Sequence, residues 1–268
     1  MEKKIGIIGV GSMGSAIALG LGSQTEYKLY LYNRSPEKLN KLRGIIDFIK
    51  VEELANMLKE NMDYIILASK PQHIPDILNE LKTLKLNEKT VLVSVAAGFT
   101  IESINEFFSD NPIARVMPNT PAQISAAMSA ISVNPKAQSQ ITELESIFQN
   151  IGETVLLDNE EQMHASTAIA GSGPAYFFKI IEALSKAGEK QGLKLEEAEK
   201  LAIETMYGAA LLLKKSQLSP SELRVQVTSP NGTTQAALES FNESKIDQIV
   251  SAAVEAACAR SKELAKSQ

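Results

Sequence analysis

Three glycines within six residues near the amino terminus restrict the fold of this chain more than any other feature. They follow an Ile-rich run, Lys4–Val10, that predicts a strand, and precede a small apolar run, Ser15–Gly22, that predicts a helix. In such a unit the glycines permit a tight turn, backbone approach to a pyrophosphate, and close helix packing. Since the helix amino terminus also offers N–H groups to phosphates, dinucleotide binding is predicted, rather than a ligand-free turn, through Gly9, Gly11, Ser12, Met13 and Gly14.

The residues after the second predicted strand, Lys28–Tyr32, indicate which dinucleotide is bound. An NAD site usually has an acidic residue there to bond the ribose 2′-hydroxyl, whereas this chain has Asn33-Arg34-Ser35. The Arg34 guanidinium can bind a 2′-phosphate with charge-assisted hydrogen bonds, and Asn33 and Ser35 can add donors. We therefore predict NADPH as the cofactor, with NADH weaker. The alternative is that Arg34 is a solvated loop residue.

Two further loops are expected beside the cofactor. They follow the apolar runs Tyr64–Ala68 and Thr90–Val95, which predict buried strands. In a doubly wound sheet, loops at the carboxyl ends of strands line the ligand crevice. The predicted cofactor-lining residues in these loops are Ala68, Ser69, Lys70, Pro71 and Ala97.

The order of the predicted elements divides the chain into two domains. Strand-like and helix-like runs alternate in the first part, which includes helices at Ser35–Leu42 and Pro135–Asn150 and a last strand at Glu153–Leu157. Alternation of this kind is typical of a parallel sheet with helices on both faces. We predict an α/β fold, with a Rossmann-type doubly wound sheet in residues 1–160 and an all-α domain in residues 161–268.

The second half carries helix signals throughout. Leu195–Lys215 is rich in Ala, Leu, Glu and Lys, and Ser219-Pro220-Ser221-Glu222 forms a capping box. Ser244 is expected to open the last helix, whose apolar residues from Ile246 to Ala257 recur at helical spacing. These helices are apolar on more than one face, which favours burial against another subunit. The alternative is burial against the first domain.

The composition of the chain disfavours several other classes of protein. A net charge of −5 without a block of like charges disfavours a nucleic-acid or anionic-membrane partner. We expect neither a signal peptide nor a membrane span, and with a single cysteine, Cys258, the chain is expected to be cytoplasmic. His73 is interpreted as a surface residue and His164 as a structural one. Neither has metal ligands at suitable spacing, so no metal site is predicted.

Two polar segments are harder to explain by packing. Prolines on both sides of Asn119-Thr120 predict a rigid extended loop, Arg115–Pro121, near the nicotinamide end of the crevice. The second segment, Thr228–Thr234, gathers hydroxyl and N–H groups before an alanine-rich helix, an arrangement suited to a small carboxylate. The alternative for this segment is a well-capped helix without a ligand.

These segments resemble the pyrroline-5-carboxylate reductases. The run Val-Thr-Ser-Pro-x-Gly-Thr-Thr, which ends at Thr234, is similar to a signature of that family. The segments Arg115–Pro121, Ala170–Tyr176 and Lys70-Pro71 and the amino-terminal glycines match it as well. The resemblance therefore covers almost the whole chain, although glycines of this pattern are shared by many unrelated dehydrogenases.

The resemblance implies NADPH-dependent reduction of Δ1-pyrroline-5-carboxylate to L-proline, the last step of proline synthesis. It implies a homodimer through the carboxyl-terminal helices, whose dimers can stack into larger rings such as a decamer. Asn231 and Gln226 depart from residues common in relatives, and an Asn is tolerable where φ is positive. The resemblance implies that Ser229, Thr233 and Thr234 bind the substrate carboxylate and imine. We predict Asn119 and Gly232 as further substrate-binding residues and Thr234 as the catalytic residue, which forms a hydrogen bond with the imine nitrogen or relays a proton to it.

Two other functions compete with this interpretation. One is a reductase of the same fold acting on a hydroxyacid or another imine. Hydroxyacid relatives carry a lysine in the first helix of the second domain, and Lys179 is the lysine nearest that place. The other is a non-catalytic NADP-binding regulatory protein, which the rigid loop and the hydroxyl cluster disfavour.

Overall fold

Residues 2–266 are described by a computed structural model. Their strands form one eight-stranded sheet in the order β3-β2-β1-β4-β5-β6-β7-β8. Neighbouring strands are parallel, except for the antiparallel pair β6 and β7. This arrangement confirms the predicted doubly wound sheet, in which two strands, β7 and β8, run opposite to the other six. The strands are β1 (Lys3–Ile8), β2 (Tyr27–Tyr32), β3 (Ile49–Val51), β4 (Tyr64–Leu67), β5 (Val91–Ser94), β6 (Ile113–Met117), β7 (Ala127–Val133) and β8 (Gly152–Leu156).

The described residues also form eleven α-helices. The predicted helix Pro135–Asn150 is a 3-10 segment, Pro135–Gln140, followed by α5, and the predicted helix Ser35–Leu42 is the 3-10 segment Pro36–Leu42. The helices are α1 (Ser12–Leu21), α2 (Leu54–Leu58), α3 (Ile74–Thr83), α4 (Ile101–Asn105), α5 (Ile141–Gln149), α6 (Gln162–Ser166), α7 (Gly173–Lys190), α8 (Leu195–Lys215), α9 (Pro220–Gln226), α10 (Thr233–Glu243) and α11 (Ile246–Lys266).

Helices cover both faces of the sheet because its central strands are apolar on both faces. Every residue of β4 and β5 is buried. Since side chains alternate along a strand, Ile66 enters one core with Ile17 of α1, and Ile65 enters the other with Leu78 of α3. The two cores hold α1 and α3 beside the carboxyl ends of β1 and β4, where the strand order reverses.

The predicted rigid loop Arg115–Pro121 is only partly a loop. Its first three residues belong to β6, and its last two begin a 3-10 segment, Thr120–Ile124. A buried arginine inside the strand, Arg115, concealed β6 in the sequence. Its Nη1 donates to Glu160 Oε1 at 2.9 Å, so its charge is compensated inside the protein.

Packing divides the chain into two compact units. The first comprises the residues up to Ser172 together with those from Ala256 onward, and the second is Gly173–Glu255. The helix α6, which lies after residue 160, belongs to the first unit. The proposed boundary between domains 1–160 and 161–268 stays a prediction.

The second unit is built from α7 to α10 and the first part of α11. The helix Leu195–Lys215 and the capping box are confirmed, since the Glu222 N–H donates to Ser219 Oγ at 3.3 Å and the Ser219 N–H donates to Glu222 Oε2 at 2.7 Å. The prediction for Ser244 is wrong, because this residue caps the end of α10. The left-handed Lys245, with φ +55°, then turns the chain into α11 at Ile246.

Candidate active site

In the glycine loop between β1 and α1, two glycines are packed too closely against neighbouring residues to carry a side chain. Gly9 has a φ of +99°, and a methyl group there would meet Ser69 Oγ at 2.5 Å. A methyl group at Gly14 would overlap the carbonyl oxygen of Gly9. Gly11 differs, because a methyl group there would meet nothing within 4 Å. Protein packing therefore explains two of the three glycines, while Gly11 keeps the backbone open to a ligand.

The start of α1 is suited to an anion. Its N-cap is Gly11, and no side chain caps the helix there. The first-turn N–H groups and the positive end of the helix dipole are therefore available to phosphate oxygens. The pyrophosphate was predicted to bind at Gly11, Ser12, Met13 and Gly14. The open space beside Gly11 fits that group.

Asn33 ties the glycine loop to the end of β2. The backbone N–H of Val10 donates to Asn33 Oδ1 at 2.8 Å, and Asn33 Nδ2 donates to the carbonyl oxygen of Ser35 at 2.9 Å. The backbone N–H of Gly9 also donates to the carbonyl oxygen of Tyr32 at 2.9 Å. Asn33 thus holds the glycine loop and the end of β2 together, and the exposed Arg34 follows Asn33 directly.

A cavity of about 350 Å³ joins these loops. It gathers most of the predicted cofactor residues, namely Gly9, Gly11, Asn33, Arg34, Ser35, Ala68, Ser69 and Lys70. Ser12, Met13, Gly14, Pro71 and Ala97 were also predicted but do not line it. The residues that sequence reasoning missed are Tyr32, Lys38, His73, Asp76, Ile77 and Glu80.

The missed residues carried a signal in the sequence. Asp76, Ile77 and Glu80 recur at helical spacing and therefore share one face of α3. His73, interpreted from the sequence as a surface residue, is half-buried and lines the same cavity. Because α3 closely follows the loop Ala68–Pro71, a helix predicted at this position brings this face close to that loop.

The predicted nicotinamide end lies in other loops of the first unit. Ala97 is exposed next to Gly98, which has a φ of +78°. The Asn119 amide is bonded to backbone on both sides, accepting from the Met128 N–H at 2.9 Å and donating to the Ala170 carbonyl at 3.0 Å. Asn119 thus shapes its loop, and its role in substrate binding stays a prediction.

The hydroxyl cluster of the second unit surrounds the start of α10. Ser229 and Gly232 close a turn, and a methyl group at Gly232 would overlap Ser229 Oγ. Asn231 has a φ of +57°, a left-handed conformation that asparagine tolerates better than most residues. Thr233 and Thr234 are the first two residues of the helix, and no side chain caps it at Gly232. The Gln235 Oε1 of the first turn accepts from the Asn231 N–H at 2.8 Å. The carboxylate site at this helix terminus and its alternative, a capped helix without a ligand, both stay predictions.

The ionisable residues His164 and Lys179 have structural partners. His164 is buried with Nδ1 3.0 Å from Ser261 Oγ, and burial holds the pKa of this imidazole below its usual range. Lys179 is exposed and pairs with Glu182 at 3.3 Å, and Cys258 is a half-buried helix residue. Among residues 2–266 no group of three or more His, Cys, Asp or Glu side chains is placed to hold a metal. In the same residues no helix is long and apolar enough to cross a membrane.

Two family profiles match the chain. One is described as pyrroline-5-carboxylate reductase dimerisation and covers residues 160–264. The other is described as NADP oxidoreductase coenzyme F420-dependent and covers residues 4–98, which include the glycine loop and Arg34. The first match thus covers the hydroxyl cluster at the start of α10, and the second covers the residues that line the 350 Å³ cavity.

Relatives extend the match to the whole chain. The pyrroline-5-carboxylate reductase of Pseudomonas aeruginosa is 36% identical, over 98% of this chain and 97% of that protein. The structure of a pyrroline-5-carboxylate reductase from Coxiella burnetii superposes with a TM-score of 0.91 at 32% identity, covering 98% of this chain and 99% of that one. The pyrroline carboxylate reductase of Plasmodium falciparum, solved with NADP bound, gives 0.82 at 31% identity, covering 98% of each chain. On this similarity, this chain belongs to the pyrroline-5-carboxylate reductase family.

Proposed function

We propose that this protein reduces Δ1-pyrroline-5-carboxylate to L-proline with NADPH. The observation that carries the proposal is the uncapped start of α10, where Thr233 and Thr234 follow Gly232 in a chain of this family. The test is a substrate-dependent loss of the absorbance of reduced nicotinamide, with NADPH and with NADH in parallel. Folded protein that binds NADPH but turns over no cyclic imine would contradict the proposal.

The proposed cofactor contacts follow the geometry of the first unit. Gly11 and the first turn of α1 hold the pyrophosphate, Arg34 and Ser35 hold the 2′-phosphate, and Asn33 keeps their loops in register. Ala68 to Pro71 and Ala97 lie along the rest of the cofactor. The cofactor, when bound, supplies the hydride that reduces the C=N carbon.

The proposed substrate contacts come from the start of α10. The backbone N–H groups at Thr233 and Thr234 and the Ser229 hydroxyl bind the carboxylate, helped by the positive end of the helix dipole. Holding the carboxylate there restricts the orientation of the ring, which lowers the entropic part of the barrier. The Thr234 hydroxyl forms a hydrogen bond with the imine nitrogen or relays a proton to it. Asn119 completes the proposed set of substrate-binding residues.

We expect replacement of Thr234 by valine to lower kcat on the order of 100-fold, because it removes the hydroxyl that assists proton transfer. The Kd for NADPH should change little, since the first unit binds the cofactor. Steady-state kinetics and fluorescence titration of NADPH measure the two effects. Thr83→Val at the end of α3 is the matched control. A Thr234→Val enzyme with unchanged turnover would remove Thr234 from the mechanism.

We expect replacement of Arg34 by alanine to weaken NADPH binding about 10- to 100-fold, the size of a lost charge-assisted contact. NADH has no 2′-phosphate, so its affinity should stay the same. The ratio of kcat/KM for the two cofactors measures this difference, and Arg43→Ala, an exposed arginine outside the cavity, is the control. Equal losses with both cofactors would show that Arg34 does not recognise the 2′-phosphate.

Self-association is part of the proposal. The second unit exposes large apolar side chains such as Phe178, Tyr207 and Val225, at 66%, 64% and 69%. Apolar surface of this extent is typically covered by another subunit, and residues 160–264 match a dimerisation family. We propose a homodimer through these helices, which assembles further into a decamer. We also propose that the protein is cytoplasmic, because a chain with a single cysteine forms no internal disulfide and suits a reducing compartment. Light scattering measures the mass of the assembly.

A further inference from the structure

One face of α3 forms a wall of the cofactor cavity and has no role in the function proposed so far. His73, just before the helix, Asp76, Ile77 and Glu80 all line the cavity. Ile77 is 8% exposed and packs in the core below, so a small part of its apolar side chain faces the cavity beside the two carboxylates. Both carboxylate residues are exposed.

Helix stability does not explain the pair of carboxylates, although Asp76 alone is favourable in the first turn of α3, at the positive end of the helix dipole. Asp76 and Glu80 are four residues apart, and like charges at this spacing destabilise a helix. Glu80 also lies near the carboxyl end of α3, where the helix dipole disfavours a negative charge. Within residues 2–266, neither side chain has an ion pair or a side-chain hydrogen bond in the structure, so both remain available to a ligand.

Apart from Tyr32 and Lys38, the other residues that line the cavity are already assigned. The glycine loop takes the pyrophosphate, and Arg34 with Ser35 takes the 2′-phosphate. The part of the dinucleotide left for the α3 face is the adenine ring. An apolar side chain can pack against the flat face of a purine, and a carboxylate can accept hydrogen bonds from its 6-amino group.

We infer that Asp76 and Glu80 recognise the 6-amino group of the adenine ring and so select an adenine dinucleotide over its 6-oxo analogue. The inference rests on the proposed function, because it assumes that NADPH occupies this cavity. A carboxylate accepts hydrogen bonds but donates none, and therefore it repels the 6-oxo oxygen of hypoxanthine. Amide side chains in the same places would donate an N–H to that oxygen.

The test compares NADPH with reduced nicotinamide hypoxanthine dinucleotide phosphate, whose purine has an oxo group at position 6 and a hydrogen on N1. Fluorescence titration of the whole protein should give a Kd about tenfold lower for NADPH. In the double variant Asp76→Asn, Glu80→Gln, this ratio should fall to about one or invert. Glu88→Gln is the matched control, because it removes the charge of an exposed carboxylate outside the cavity. The ratio of the two Kd values in this variant should equal that of the unaltered protein.

The outcomes separate this inference from the function on which it rests. A protein that binds neither dinucleotide contradicts the proposed function. Equal affinity of the unaltered protein for both dinucleotides overturns the inference and leaves the function intact. A tenfold preference that survives in the folded double variant, with its melting temperature checked, also overturns the roles of Asp76 and Glu80.

Discussion

Replacement of Gly11 by alanine is expected to weaken NADPH binding on the order of 100-fold, about 2.7 kcal/mol, without destabilising the protein. Gly11 has a φ of −83°, which alanine adopts without strain, and the added methyl group would meet no atom within 4 Å. Alanine also lowers the conformational entropy of the unfolded chain relative to glycine, which slightly stabilises the folded protein. The methyl group would instead enter the space in which the backbone meets the pyrophosphate.

The matched variant is Gly14→Ala. Its methyl group would overlap the carbonyl oxygen of Gly9, so the helix must move away from the loop, and both stability and cofactor binding should fall. Thermal unfolding and NADPH titration of the two variants give the comparison. If Gly11→Ala bound NADPH as well as the unaltered protein, the pyrophosphate would not lie against this part of the loop.

Replacement of Glu160 by alanine is expected to lower the free energy of unfolding by about 3 kcal/mol. Arg115 is 1% exposed, and its Nη2 has no hydrogen-bond partner among the described residues. Glu160 Oε1 accepts from Arg115 Nη1 and from the Ile101 N–H, both at 2.9 Å. Removing the carboxylate would leave a buried cation uncompensated and the start of α4 without this acceptor.

Urea unfolding of the intact protein measures this loss. Asp110→Ala is the matched control, because the Asp110–Lys136 pair has the same 2.9 Å separation but lies on the surface, where ion pairs contribute little. A second variant, Glu160→Gln, keeps an acceptor for the Ile101 N–H and removes the charge, so it should be intermediate. Equal, small losses for Glu160→Ala and Asp110→Ala would mean that water reaches Arg115 despite its burial.

The elements predicted well from the sequence have local causes. β4, residues 5–8 of β1 and residues 91–93 of β5 are apolar runs, because strand segments buried on both faces need apolar residues at nearly every position. The capping box at Ser219 and the turn at Asn231 depend on residues within a few positions of each other. Neighbouring residues carry all the information for such elements.

The elements that were missed depend on distant partners. β6 contains Arg115, which is tolerated in the core only because Glu160, forty-five residues later, compensates its charge. β7 buries Ser129 and Ser132, whose polarity conceals the strand. Asn33 and Asn119 looked like ligand donors, and the structure shows that their amides bond the backbone at Val10 and Met128.

The amino-acid sequence by itself determined the strand–glycine–helix unit, the change from α/β to all-α structure, and the hydroxyl-rich segment before α10. These follow from local sterics and from the periodicity of apolar residues. Only the tertiary structure decided that Gly11 is open while Gly9 and Gly14 are packed, and that the α3 face lines the cofactor cavity. The reason is that packing and cavities are set by side chains from distant segments, whose meeting depends on the order of the strands in the sheet.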